Sequence, residues 1–139
     1  MFRFIDSIAA RSEALWLLLG RICIGALFAP SGYGKLTGPG LTGMLTAKGV
    51  PAPEVLATVA GVVELVGGLA IILGFKTRLA ALVMIVFTII ATLLAHSFWT
   101  MDDPARMANR IQFFKNVAII GGFLYVFVRG AGPISFDRR

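Results

Sequence analysis

The sequence predicts an all-α integral membrane protein, a four-helix bundle with antiparallel transmembrane helices. Three observations carry this reading. Of 139 residues, 58% are hydrophobic and only 14% charged, where ordinary soluble domains carry about 25% charged residues. The mean hydropathy is +0.86. The apolar residues also fall into four runs long enough to cross a bilayer, whose hydrocarbon core of about 30 Å takes roughly 20 helical residues. One transmembrane domain, residues 1–139, accommodates all four.

The first span is predicted over about residues 14–36. It contains Arg21, and the acidic Asp6 and Glu13 ahead of it argue against a cleaved signal peptide, which needs a basic leader and an uninterrupted apolar core. Pro30 removes a backbone donor near its far end, so a kink is expected there. The second span covers about 55–75, with Glu64 near its centre and Gly74 at the expected helix stop. The third, about 78–99, follows a tight turn and carries no charge before His96. The fourth, about 111–128, is polar in its first turns (Gln112, Lys115, Asn116) and apolar afterwards. Interfacial helices are expected near 1–12, where Phe2, Ile5 and Ile8 recur at spacings of three, and near 39–48, where Leu41, Met44 and Leu45 share a face. Trp16 and Trp99 read as interfacial belt residues.

Lys and Arg in the connections set the expected direction. Arg3, Arg11, Lys76, Arg78, Arg129, Arg138 and Arg139 fall on one side, and Lys35, Lys48, Arg106 and Arg110 on the other. Seven against four places both termini in the cytoplasm. The net charge of +6 is dispersed between apolar runs and forms no dense patch, so no nucleic-acid partner is expected; the partner is the lipid bilayer. A lone cysteine, Cys23, excludes an internal disulfide and a thiolate cage, and reads as an inert core thiol. A single histidine excludes a bis-histidine haem within one chain, and no flavin or metal motif is present.

Polar side chains at membrane depth are costly unless they face protein, water or a partner, so they mark candidate sites. Counted from the span ends, Arg21 lies about 10 Å and Glu64 about 15 Å from the same face, close enough to predict a buried ion pair between them. Ala57, Gly61, Glu64 and Gly68 recur at spacings of four, three and four, a small-residue stripe that turns Glu64 toward protein. Toward the other face, Phe28 and Lys35 share a side of the first helix. Thr88, Thr92 and His96 form a stripe on the third, and Gln112, Lys115 and Asn116 open the fourth. The expected ligand site is thus Phe28, Lys35, His96, Gln112, Lys115 and Asn116; no catalytic residue is assigned.

The run Arg21-Ile22-Cys23-Ile24-Gly25-Ala26-Leu27-Phe28 leading to Gly34-Lys35-Leu36 resembles the opening of the DoxX family of small bacterial membrane proteins. Also similar are Gly49-Val50-Pro51, Glu64-Leu65-Val66-Gly67-Gly68-Leu69, Thr77-Arg78-Leu79-Ala80-Ala81, His96 to Trp99, Phe114-Lys115-Asn116, Gly121-Gly122 and the closing Gly130-Ala131-Gly132-Pro133-Ile134-Ser135-Phe136-Asp137. The resemblance implies four transmembrane helices in a bacterial inner membrane. Because the family takes its name from a quinone-reducing thiosulfate oxidoreductase subunit, it also implies a loose tie to membrane redox and oxidative-stress systems.

Two functions remain open on this reading. The bundle binds a membrane-soluble ligand such as a quinone, as an accessory subunit beside redox-partner subunits; or it is a small transporter or a structural assembly component of a membrane complex. Whether it is an enzyme, and whether it forms a homo-oligomer, stay open at this point.

Overall fold

The computed structural model describes residues 2–138; Met1 and Arg139, the latter one of the cations counted above, lie outside the described residues, as does the side chain of Phe2. Helices α1 (Phe2–Arg11), α2 (Glu13–Thr37), α3 (Gly40–Ala47), α4 (Pro53–Leu73), α5 (Thr77–Ala95) and α6 (Ala105–Arg129) follow in order, with a 3-10 turn at Phe98–Thr100. No strand occurs among the described residues. Four segments, α2, α4, Thr77–Thr100 and α6, are long and apolar enough to cross a membrane.

Local chemistry explains the ends. Pro53 opens α4, where a missing N–H costs nothing. Gly74 closes it in the left-handed region (φ 66, ψ 45), which lets the Phe75 N–H return to the Ala70 carbonyl at 2.9 Å. Helix α2 continues through Pro30, and α6 starts at Ala105, well ahead of the apolar run that begins at Ile111.

The densest packing joins α2 to α4. Gly25, Ala29 and Gly32 on α2 and Ala57, Gly61, Glu64 and Gly68 on α4 are buried. A Cβ added to Gly32 would lie 2.4 Å from the Leu65 nitrogen and 2.6 Å from the Gly61 carbonyl oxygen, so the backbones touch there because no side chain intervenes. Gly25 meets Gly68 and Ile72, while Gly32 meets Gly61 and Leu65: numbers rise along one helix as they fall along the other. A second core of Phe28, Ile71, Ala81, Met84, Ile85 and Phe123 joins α2, α4, α5 and α6. Phe123 is the one buried residue of α6, so most of that helix faces outward.

Beyond α6 the chain turns back. Phe136 and Asp137 donate their N–H groups to the Leu73 and Gly74 carbonyls at 3.2 and 2.9 Å, so the tail closes over the α4–α5 turn. Cys23 is exposed rather than in the core. It shares the outward side of α2 with Leu19 and Ile22, because the Gly25–Ala29–Gly32 stripe, not its own face, packs on α4.

Candidate functional site

The close-packed stripe fixes the register of α2 on α4, and that register separates Arg21 from Glu64. Arg21 sits level with the end of α4, where the last carbonyls have no helical donors and the helix dipole is negative. Its guanidinium donates to Ile72 O at 2.9 Å and Ile71 O at 3.3 Å, and also to the Ile134 carbonyl of the returning tail. It is 1% exposed. The expected Arg21–Glu64 ion pair is therefore not made: Ile72 and Glu64 are eight residues apart on α4, about 12 Å of helix, and the depth count from span ends had no knowledge of how the two helices slide.

Asp137 completes the cluster around Arg21. Its two carboxylate oxygens accept the Lys76 and Thr77 N–H groups at 2.8 Å each, capping α5, and its charge acts on Arg21. Arg21 Nε and Thr77 Oγ1, both buried, have no hydrogen-bond partner among the described residues. On the same end of the bundle Arg129 pairs with Glu13, tying the end of α6 to the start of α2.

Glu64 finds a different cation. Lys35 Nζ lies 2.6 Å from Glu64 Oε2 and 2.7 Å from Ser31 Oγ, with the Lys35 side chain 25% and the Glu64 side chain 8% exposed. Two of three ammonium protons are thereby used. Neighbouring α5 brings hydroxyls to the same level. Gly67 makes room for Met84, since a Cβ there would press on its sulfur. From that contact, three residues back along α4 to Glu64 and four forward along α5 to Thr88 run about 4.5 and 6 Å in one direction.

A polar ladder continues outward from there. Thr88 Oγ1 donates to Met84 O at 2.7 Å and Thr92 Oγ1 to Thr88 O at 2.6 Å, while Asn116 Nδ2 of α6 donates to Thr92 Oγ1 at 2.8 Å. One turn further, His96 Nδ1 is 2.8 Å from Asn109 Oδ1. The Asn109 amide nitrogen donates to Ala105 O, so its oxygen faces the imidazole and His96 donates through Nδ1. Phe98, Trp99, Phe113 and Phe114 cluster at this end, four pairs packing edge to face with centroids 5.3–5.9 Å apart and Phe98 tilted against Phe114 at 6.5 Å. Lys48 donates to the Leu94 carbonyl at 2.9 Å, closing the end of α5 from the α3 side.

Of the residues expected at the ligand site, Lys35 thus joins Glu64, Asn116 joins Thr92, and His96 joins Asn109. Phe28 lies in the core against Phe123, ring centroids 5.5 Å apart. Gln112 and Lys115 are exposed on α6, and Lys115 lines an outward groove with Arg110 and Phe114. Among the described residues, no group of three or more His, Cys, Asp and Glu side chains stands close enough to hold a metal ion.

The DoxX family model matches residues 16–97, which takes in Arg21, Lys35, Glu64 and His96. The chain belongs to the DoxX family. It is similar over nearly its whole length to two Escherichia coli proteins. Inner membrane protein YphA is 37% identical over 138 residues, 99% of this chain and 97% of that protein. Inner membrane protein YqjF is 38% identical over 127 residues, 91% and 92% of the two chains. A Surfeit locus protein 4 homolog of Schizosaccharomyces pombe is 32% identical over 71 residues, half of this chain and 24% of its own length. No solved structure matches. With its four apolar helices, this DoxX-family chain is a multi-pass inner-membrane protein associated with the lipid bilayer.

Sequence reasoning missed several residues that shape this candidate site. Asn109 carries a signal in hindsight, since a polar amide beside the loop is within reach of a histidine that ends the preceding helix. Ser31 lies one turn before Lys35 and is its natural local partner. Nothing in the spacing announces that Lys48 crosses to α5 or that Asp137 returns to α5 from the tail.

Proposed function

We propose that this protein binds a membrane-soluble ligand with hydrogen-bonding oxygens, such as a quinone, at the end of the bundle away from the termini, as an accessory subunit of a membrane redox or oxidative-stress system. One observation carries the reading. His96 is held through Nδ1 by Asn109, which leaves Nε2 with no partner among the described residues, half-buried at the end of α5, with the Phe98, Trp99, Phe113 and Phe114 cluster at the same end of the bundle. An imidazole with one nitrogen tied and the other free is the arrangement that exchanges a proton or hydrogen bond with a ligand.

The donor set suits a flat ring bearing carbonyl oxygens. Trp99 and Phe113, with centroids 5.9 Å apart, offer ring edges and faces for stacking. Asn116, one turn from His96 along the ladder, keeps one amide proton beyond that given to Thr92, and about two turns deeper Lys35 keeps one ammonium proton beyond those given to Ser31 and Glu64. A quinone bound there would supply the two-electron redox chemistry that the chain's own side chains lack. The chain's residues would orient it and hold or release a proton at His96 Nε2. The excess of Lys and Arg near the termini supports a topology with both termini in the cytoplasm, so that this site opens outward. Redox-partner subunits, or further copies of this chain, would supply the rest of such a system.

A titration of purified protein with a short-chain ubiquinone tests the reading, with Trp99 fluorescence as the signal in a Trp16→Phe background. The expected result is saturable quenching in the parent protein and about tenfold weaker binding in His96→Ala, the loss of one hydrogen bond to a charged or strongly polar group. Absence of saturable quenching in the parent, or equal affinity in His96→Ala, would overturn it.

A further inference from the structure

The groove on the outward face of α6 is built differently from the rest of the lipid-facing surface. It measures about 450 Å³ and is lined by Met107, Arg110, Ile111, Phe114, Lys115 and Ala118. Met107, Ile111, Phe114 and Ala118 recur at spacings of four, three and four, so they form one apolar stripe along the helix. At 100° per residue, Arg110 falls about 60° to one side of the stripe's start and Lys115 about 80° to the other. Both cations are exposed, and neither has a hydrogen bond or an ion pair among the described residues.

Depth makes that arrangement a problem that needs a partner. The far boundary of the membrane can be placed from Arg129, which pairs with Glu13 at the termini end. A 30 Å hydrocarbon core counted back from there takes roughly 20 residues and ends near Asn109 or Arg110. Lys115 therefore starts about 7–8 Å inside that boundary, facing acyl chains rather than the bundle. A lone cation in that place is costly unless it snorkels to an anion. Side chains of a helix lean toward its N-terminus, and for Lys115 that direction is toward Arg110 and the headgroup level. Two positive heads then meet at one depth, astride a stripe that an acyl chain can follow.

We propose that this groove is a binding site for an anionic phospholipid of the leaflet away from the termini. Its phosphate and the hydroxyls of its headgroup are held between Arg110 and Lys115, and one acyl chain runs along Ile111, Phe114 and Ala118. Arg takes the phosphate through two parallel N–H groups and Lys as a point charge. The occupant is lipid rather than a second copy of the chain because the two cations face outward unpaired. Burying them against the same two cations of a symmetry-related copy would oppose like charges. The groove shares Phe114 with the aromatic cluster at that end but takes in neither His96 nor Asn109, and neither proposal depends on the other.

Native mass spectrometry of the detergent-purified full chain, titrated with phosphatidylglycerol and with phosphatidylcholine of matched acyl chains, tests the proposal. The expected result is preferential retention of phosphatidylglycerol, reduced about thirtyfold in the Arg110→Gln/Lys115→Gln double variant, two lost charges near the membrane surface. An Arg3→Gln/Arg11→Gln variant, which removes as many charges at the other end, keeps the preference. No preference in the parent protein, or equal loss in both double variants, would overturn the proposal. Should the groove variant fail to fold, a photoreactive benzophenone side chain at Ala118 of the otherwise unaltered protein decides the matter. Cross-linking to phosphatidylglycerol supports the site, and cross-linking to a second copy of the chain, or to both lipids equally, rules it out.

Discussion

The two ends of the bundle hold similar side chains at membrane depth and use them in opposite ways. At the end near the termini, Arg21 is sunk under three backbone carbonyls, the tail folds over it, and Asp137 caps α5 with both oxygens. At the far end, Lys35 is held by Glu64 and Ser31, Asn116 and His96 by one partner each, and all three keep a further hydrogen-bonding position open. The difference teaches that a charge inside a membrane span is not in itself a site. A fully buried cation bound to helix-end and tail carbonyls acts as a clasp, its unpartnered Nε enclosed, whereas a part-exposed one held by a carboxylate and a hydroxyl keeps a donor within reach of its surroundings.

The largest expected effect breaks the clasp. Arg21→Leu leaves the Ile72 and Ile134 carbonyls without that donor, while Ile71 O keeps the Gly74 N–H at 3.2 Å, and each carbonyl orphaned away from water costs about 1–3 kcal/mol. The tail should come away from the α4–α5 turn. Thermal unfolding in detergent is expected to drop further for this variant than for any substitution at the far end, and limited proteolysis should cut beyond Gly130 in Arg21→Leu while sparing the parent protein. Unchanged stability with an intact tail would mean that the returning segment is held by Asp137 and its own packing alone.

The next effect tests whether Lys35 and Glu64 form one unit. Lys35→Met strips Glu64 of its cation; breaking a buried pair on one side costs about 3–5 kcal/mol, and the partial exposure of Lys35 sets the expectation at or below the lower figure. Adding Glu64→Gln removes the stranded charge, so the double variant is expected to recover part of the loss. Equal stability of the single and double variants would show that Glu64 draws its support from Ser31 or from water instead.

How much of this contrast the sequence disclosed follows from what each feature depends on. Four spans, the stop at Gly74 and the inward stripe Ala57–Gly61–Glu64–Gly68 depend on local composition and helical period, and the helices observed reflect them. The partner of Arg21 depends on how α2 slides along α4, and that register comes from backbone contacts such as Gly32 against Leu65, which no count from span ends contains. The scattering of Gln112, Lys115 and Asn116 has a similar cause. Apolar residues fall on every side of α6, whose one buried residue is Phe123, so its rotation could not be read from a stripe. The tail was legible only as a resemblance, because Gly130, Ala131, Gly132 and Pro133 specify a turn but not where it lands.

The smallest expected effect sharpens the comparison most, because it separates stability from binding at the open end. Thr92→Val keeps the shape of the side chain and removes the oxygen that accepts from Asn116. Interhelical hydrogen bonds in membranes average about 0.6 kcal/mol, since the separated helices find other partners. The variant should therefore unfold almost where the parent does. If the ladder exists to hold α5 against α6, ubiquinone titration will be as unmoved as stability. If it exists to present the Asn116 amide, releasing that amide from Thr92 changes the affinity while the melting curve stays in place. A fall in stability as large as that of Lys35→Met would instead make the ladder a structural seam and leave His96 as the open group at that end.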